Sequence, residues 1–136
     1  MVSFLEPLGV VADSGRPLLR EFTGPGRRLV THEMIVTEPG AEHPVSNSIR
    51  GLTTAFIWPI PLTLDPEKAQ AGGGDVRLAP LIVVPTERSL WAESQWQEFR
   101  RAVSQGRGDR IVNPPSPDSP ADLVGGPWTI AAAIER

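Results

Sequence analysis

TERSLWAESQWQEFRRAVSQG, residues 86–106, is the stretch on which the reading of this chain turns, because helical signals agree there from end to end. Ala92, Trp96, Phe99 and Val103 follow one another at intervals of four, three and four, which puts them on one narrow stripe of a helix that must face a core. Thr86 follows Pro85 and suits an N-cap, Leu90 stands where it can staple back onto Pro85, and Glu87 meets the positive end of the dipole. Arg100 and Arg101 fall in the last turns, and Gly106 suits the left-handed stop. The spacing predicts one principal helix over about 87–105. Trp91 lies on its flank, where it widens the buried face or meets a partner.

Outward from that helix the chain reads as short extended pieces. Residues 76–84 feed into it as a strand, with Pro80 marking a bulge or an edge and the run Leu81-Ile82-Val83-Val84 suited to cover on both faces. Residues 63–75, with Asp65-Pro66 and Gly72-Gly73-Gly74, have the composition of a flexible connection. Before it, Leu52, Thr54, Phe56, Trp58, Ile60, Leu62 and Leu64 share one face of an extended segment. Pro59 and Pro61 remove two donors from the same side of it, so its end is an edge or leaves the sheet. Trp58, Pro59, Ile60 and Pro61 are accordingly a candidate contact surface.

Residues 38–50 are polar and irregular and read as a loop of functional length. Residues 28–37 read as a strand, with Val30, His32, Met34 and Val36 on the apolar face and Leu29, Thr31, Glu33, Ile35 and Thr37 on a mixed one. The turn Gly24-Pro25-Gly26 leads into it. Residues 8–12 and 18–22, separated by Asp13-Ser14-Gly15-Arg16-Pro17, read as a hairpin with a five-residue loop. Residues 1–7 form an N-terminal arm whose Phe4 and Leu5 need cover. On the far side of the helix, residues 111–127 hold a polyproline-like spacer that need not pack. Trp128, Ile130, Ala132 and Ile134 then share one face of a last strand, returning to the sheet or reaching a neighbour.

The 136 residues, 40% apolar, suit a single domain that buries about two-thirds of its unfolded surface. Fifteen prolines and 13 glycines favour many turns and short strands over a helical bundle. The fold class expected is α+β, mainly β: an antiparallel twisted sheet or partly open barrel of about five to six strands with one principal helix laid across it. There are no cysteines, which excludes disulfides, thiolate catalysis and cysteine-held metals. Net charge is −3, and of 13 basic side chains only Lys68 is a lysine, so no lysine-rich patch speaks for direct nucleic-acid binding. No apolar run is long enough to cross a bilayer, and the start lacks the pattern of a signal peptide. The expected setting is the cytoplasm or a virion.

Chemistry is sparse. His32-Glu33 and Glu42-His43 offer two imidazoles and two carboxylates, the ligand types of zinc sites. On a strand, however, His32 and Glu33 point to opposite faces and cannot serve one ion. No G-x-S-x-G or S-x-x-K motif is present, and Gly72-Gly73-Gly74 lacks the lysine and hydroxyl of a P-loop. Arg107-Gly108-Asp109 resembles the recognition tripeptide of integrin ligands and equally suits a charged helix end.

The function these residues favour is a non-enzymatic structural subunit of a larger assembly, such as a capsid, connector or tail component, whose partners are itself or other protein subunits. Its candidate contact residues are Trp58, Pro59, Ile60, Pro61, Trp91, Arg107, Trp128 and Ile130, with no catalytic residue, metal or cofactor assigned. The alternatives are a small monomeric or dimeric adaptor or ligand-binding module, and an enzyme or metal site between Glu33 and His43.

Overall fold

The structure, a computed structural model, describes residues 4–71, 75–106 and 114–135. Within them the short apolar runs form β1 (Val10–Ala12), β2 (Leu18–Gly24), β3 (Arg27–Thr31), β4 (Glu33–Val36), α1 (Pro44–Ser48), β5 (Thr54–Ile57), β6 (Leu62–Leu64) and α2 (Pro66–Ala71). Then follow β7 (Arg77–Val84), β8 (Leu90–Ala92), α3 (Trp96–Ser104), β9 (Leu123–Val124) and β10 (Trp128–Glu135). All pairing is antiparallel: a first sheet in the order β1-β6-β10-β7, a second in the order β3-β2-β8-β9, and a two-stranded ribbon β4-β5. The protein is thus mainly β, as the proline and glycine content implies, with ten strands among the described residues in three antiparallel sheets that do not close into a barrel.

Burial shows how the layers stack. Leu18 and Leu19 are adjacent and both fully buried, as are Leu90, Trp91 and Ala92. Successive strand residues point to opposite faces, so β2 and β8 are covered on both sides. One side belongs to a core of Leu18, Met34, Val84, Leu90, Ala92 and Trp128, drawn from both sheets and the ribbon. The other belongs to a smaller core in which Leu19 and Trp91 meet Phe99 of α3. The second sheet is the middle layer, between the first sheet and ribbon on one side and α3 on the other.

This double burial corrects the helix. The segment Leu90-Trp91-Ala92 pairs with β2, Leu90 opposite Arg20, Trp91 opposite Leu19 and Ala92 opposite Leu18, and the helix begins only at Trp96. Trp96, Phe99 and Val103 keep their common stripe, but Ala92 faces the other core from within a strand. Thr86 caps nothing, because the Leu90 N–H bonds to the Glu87 carbonyl in a turn. A three-residue apolar run buried on both faces carries no period of its own, and a helical pattern extends through it.

Other junctions differ for similar reasons. Residues 8–12 and 18–22 make no hairpin: β1 pairs with β6 and β2 with β3 and β8. The turn between them instead docks on the two-proline segment, the Asp13 N–H bonding to the Pro61 carbonyl at 3.0 Å and the Leu18 N–H to the Pro59 carbonyl at 2.8 Å. The strand expected over 28–37 breaks at His32, so that β3 joins the second sheet and β4 the ribbon. The segment read as flexible over 63–75 contains α2, capped by Asp65 accepting from the Lys68 N–H at 2.9 Å, with Pro66 in the first turn. Of the N-terminal arm, residues 1–3 lie outside the described residues and Phe4 is exposed, while a 3-10 turn at Glu6–Leu8 is tied to α2 by Lys68 and Glu6 at 2.8 Å.

The expectations at Pro80 and the last strand hold. β10 inserts between β6 and β7, and its register against β7 shifts between Thr129 and Ala132, beside Pro80. The outer edge of β7 is covered, the Val83 N–H donating to the Pro39 carbonyl and the Ser46 hydroxyl to the Leu81 carbonyl, which protects an eight-residue edge from stray pairing.

Candidate functional site

Five of the eight contact candidates converge on the interior. Trp91 is 1% exposed, its indole N–H donating to Glu93 at 2.9 Å. Trp128 is buried in the larger core with Ile130 against it. Pro59 and Pro61 are buried, and their carbonyls hold the Asp13–Leu18 turn as above. Ile60 is half-buried between them. Arg107, and the tripeptide it opens, lie outside the described residues.

Trp58 remains half-exposed, and its conformation is unusual. It takes φ 54°, a left-handed conformation that is strained for a bulky residue. Its N–H donates to the His32 carbonyl at 2.9 Å, and its ring stacks on the His32 ring at 4.3 Å. Phe99 meets both rings edge-on, Trp96 tilts against Trp58 at 5.5 Å, and Arg100 lies over Trp96. The break at His32 and the turn at Trp58 are therefore one feature, where β4-β5 leaves the plane of β3. Burial in this cluster lowers the His32 pKa, against a smaller opposing effect of Glu33.

His43 is separate from His32 in role. It caps α1, Nδ1 accepting from the Val45 N–H at 3.2 Å and Nε2 lying 2.9 Å from a Glu135 carboxylate oxygen. With Nδ1 as acceptor, the neutral ring carries its proton on Nε2 and donates to Glu135. Both ring nitrogens are thus engaged within the chain. Among the described residues no group of three or more His, Asp or Glu is arranged to hold a metal ion.

A cleft of about 390 Å³ lies between α3 and residues 114–118, lined by Glu93, Glu98, Phe99, Pro114, Pro115 and Asp118 among others. Glu93, only 2% exposed, accepts from the Trp91 indole and from the Gln95 N–H at 2.8 Å. Burial raises its pKa, the two donors oppose the rise, and the charges of Asp122 and Asp118 add to it. Asp122 behaves oppositely: burial pushes it up, but the Ser94 hydroxyl and N–H and the Ser119 N–H outweigh this and bring it down.

The surface that sequence reasoning passed over is the outer face of the ribbon. Pairing sets Glu33 opposite Ile57 and Ile35 opposite Ala55 on one face, with Met34 opposite Phe56 on the other. Met34 is 0% exposed while Ile35 is 60% and Ile57 66% exposed. The signal was present in the alternation, which places Ile35 opposite in parity to Met34; it reads as a mixed face because Glu33 and the threonines dilute it. Leu52 and Val45 add exposed apolar side chains in the flanking segments.

Comparison with protein-family models, curated proteins and solved structures returns no match.

Proposed function

We propose that this chain is a non-enzymatic subunit of a larger protein assembly, of coat, connector or tail type, and that it joins further copies of itself through the outer face of β4-β5. The observation that carries the reading is the pair Ile35 and Ile57, diagonal neighbours on a ribbon that has no third strand among the described residues. A two-stranded ribbon is marginal unless it packs, and here its inner face is satisfied by Met34 and Phe56 while its outer face is left to solvent. Contiguous apolar surface of this kind marks protein–protein contacts. Further apolar side chains stand exposed at Phe4 and at β9, where Val124 forms the open side of the second sheet. Separate apolar patches suit contacts between different surfaces of neighbouring copies, the arrangement that builds rings and filaments.

The test is a double substitution, Ile35→Asp with Ile57→Asp, followed by sedimentation velocity. Both positions are exposed, so the fold should survive with an unchanged far-UV spectrum while association weakens by at least about tenfold. Association that persists unchanged in the folded double variant excludes this face.

A further inference from the structure

Residues 114–122 pass over α3 without joining a sheet. Pro114, Pro115, Pro117 and Pro120 supply no N–H groups, and the segment's internal backbone bonds are local, Asp118 N–H to Ser116 carbonyl and Asp122 N–H to Ser119 carbonyl. It is fastened at its two ends. At the first, Arg28 donates to the Pro114 carbonyl at 2.9 Å and to the Pro115 carbonyl at 2.5 Å. At the second, Asp122 accepts from the Ser94 N–H at 2.8 Å and hydroxyl at 2.6 Å, and Arg16 donates to the Ala121 carbonyl at 3.1 Å. Between these fastenings the chain stands off α3 and leaves the cleft.

Carboxylate residues line that gap from both sides. Asp118 belongs to the strap, where it accepts from the Ser116 hydroxyl, Glu93 and Glu98 belong to the side of β8 and α3, and no lysine or arginine is among the lining residues described. Arg28, which holds the Pro114 and Pro115 carbonyls at one end of the cleft, is paired with Glu21, and Arg16 is paired with Asp13. Asp122 adds a fourth negative charge at the hinge, acting on Glu93. The groups that directly contact the Glu93 carboxylate are the neutral donors of Trp91 and Gln95 together with the Asp122 side chain, and His32 meets Phe99 from the ribbon side. Like charges in a partly enclosed cleft repel more strongly than in open water.

We infer that residues 114–122 are an electrostatically sprung strap, held off α3 while the cleft carboxylates are charged and drawn down over Phe99 when those charges are neutralised or screened. Two fixed ends and a donor-poor middle let the strap move without breaking a ladder, and the standing void gives it somewhere to go. The upward displacement of Glu93 by burial and by its acidic neighbours brings the transition to milder acid than an ordinary carboxylate allows. Rising acidity or salt therefore closes the same face of α3 that neutral, dilute solution leaves accessible.

The absence of cysteine makes the movement measurable by spin labels. Labels at Gln97→Cys and Pro117→Cys, both exposed positions, should give a broad distribution with a long component by pulsed dipolar spectroscopy at about pH 7.5 in low salt. It should contract to a short, narrow one near pH 5, and likewise at about 0.5 M salt. Asp118→Asn should raise the short component about threefold at neutral pH, the size of one partly solvated charge interaction. A second pair, Arg101→Cys with Pro120→Cys, reports the same motion if the first pair perturbs the strap. A distribution indifferent to pH, to salt or to Asp118→Asn in a chain with a native far-UV spectrum overturns the inference.

Discussion

Truncating two neighbours on β4 tests the layer order quantitatively. Met34 and Ile35 are adjacent and similar in size, but Met34 is fully enclosed by Leu18, Val84, Leu90, Ala92 and Trp128, whereas Ile35 is 60% exposed. Met34→Ala removes buried groups and leaves a cavity at the junction of three sheets, which costs about 2–5 kcal/mol. Ile35→Ala removes contacts mostly with water and should change stability by no more than about 0.5 kcal/mol. A domain of ordinary stability holds about 5–15 kcal/mol, so the first substitution takes a large fraction of the total. With an m-value of about 1–3 kcal/mol/M in urea, a loss of about 3 kcal/mol moves the midpoint down by about 1–3 M. The Ile35→Ala midpoint should hardly move. Both are read by urea titration with fluorescence detection, at concentrations low enough that self-association adds nothing to stability. Equal losses, or a larger one at Ile35, would mean that the ribbon presents its other face to the core and that the proposed contact surface is misplaced.

Four further outcomes follow from the same geometry. His32 has a folded-state pKa below its unfolded value, so its contribution is fully present above about pH 6.5 and is lost as pH falls through the folded value; His32→Gln should flatten that part of a stability-versus-pH curve. Glu93 has a folded-state pKa above its unfolded value, so its contribution is fully present below about pH 4.5 and declines as pH rises through the folded value. Urea midpoints should show that decline, and Glu93→Gln should remove its pH dependence while losing an acceptor for Trp91 or Gln95. Gly9, at φ 77° with the Asp65 carbonyl where a Cβ would sit, should not tolerate alanine; thermal melts of Gly9→Ala should show a loss above about 1 kcal/mol, in contrast to Gly26→Ala, where φ is also positive but the space is open. Ser46→Ala, which orphans the Leu81 carbonyl at the covered edge of β7, should cost about 1–2 kcal/mol by the same assay.

What was legible in the sequence is what local chemistry decides. The turn at Gly24-Pro25-Gly26, the irregularity at Pro80 and the return of Trp128–Glu135 to a sheet all follow from residues that restrict their own backbone or alternate cleanly. Asp65-Pro66 was equally local and is the cap of α2, but Gly72-Gly73-Gly74 beyond it drew the whole segment toward a linker reading. The long-range choices were not legible. Nothing near Leu90-Trp91-Ala92 announces that Leu18 and Leu19 will pair with it, and without that pairing the stripe from Ala92 to Val103 continues a helix. The break at His32 is of the same kind, since it depends on Trp58, 26 positions later, folding back to stack on the ring. The contact candidates followed the same logic: bulky aromatic and proline residues were singled out by type, and packing placed most of them inside while leaving two isoleucines outside.

The most direct test of the assembly reading is the solution mass of the full-length chain by light scattering across a concentration series. The account predicts a mass that rises to a discrete multiple of 14.7 kDa as concentration increases. A mass of 14.7 kDa at every concentration would contradict it.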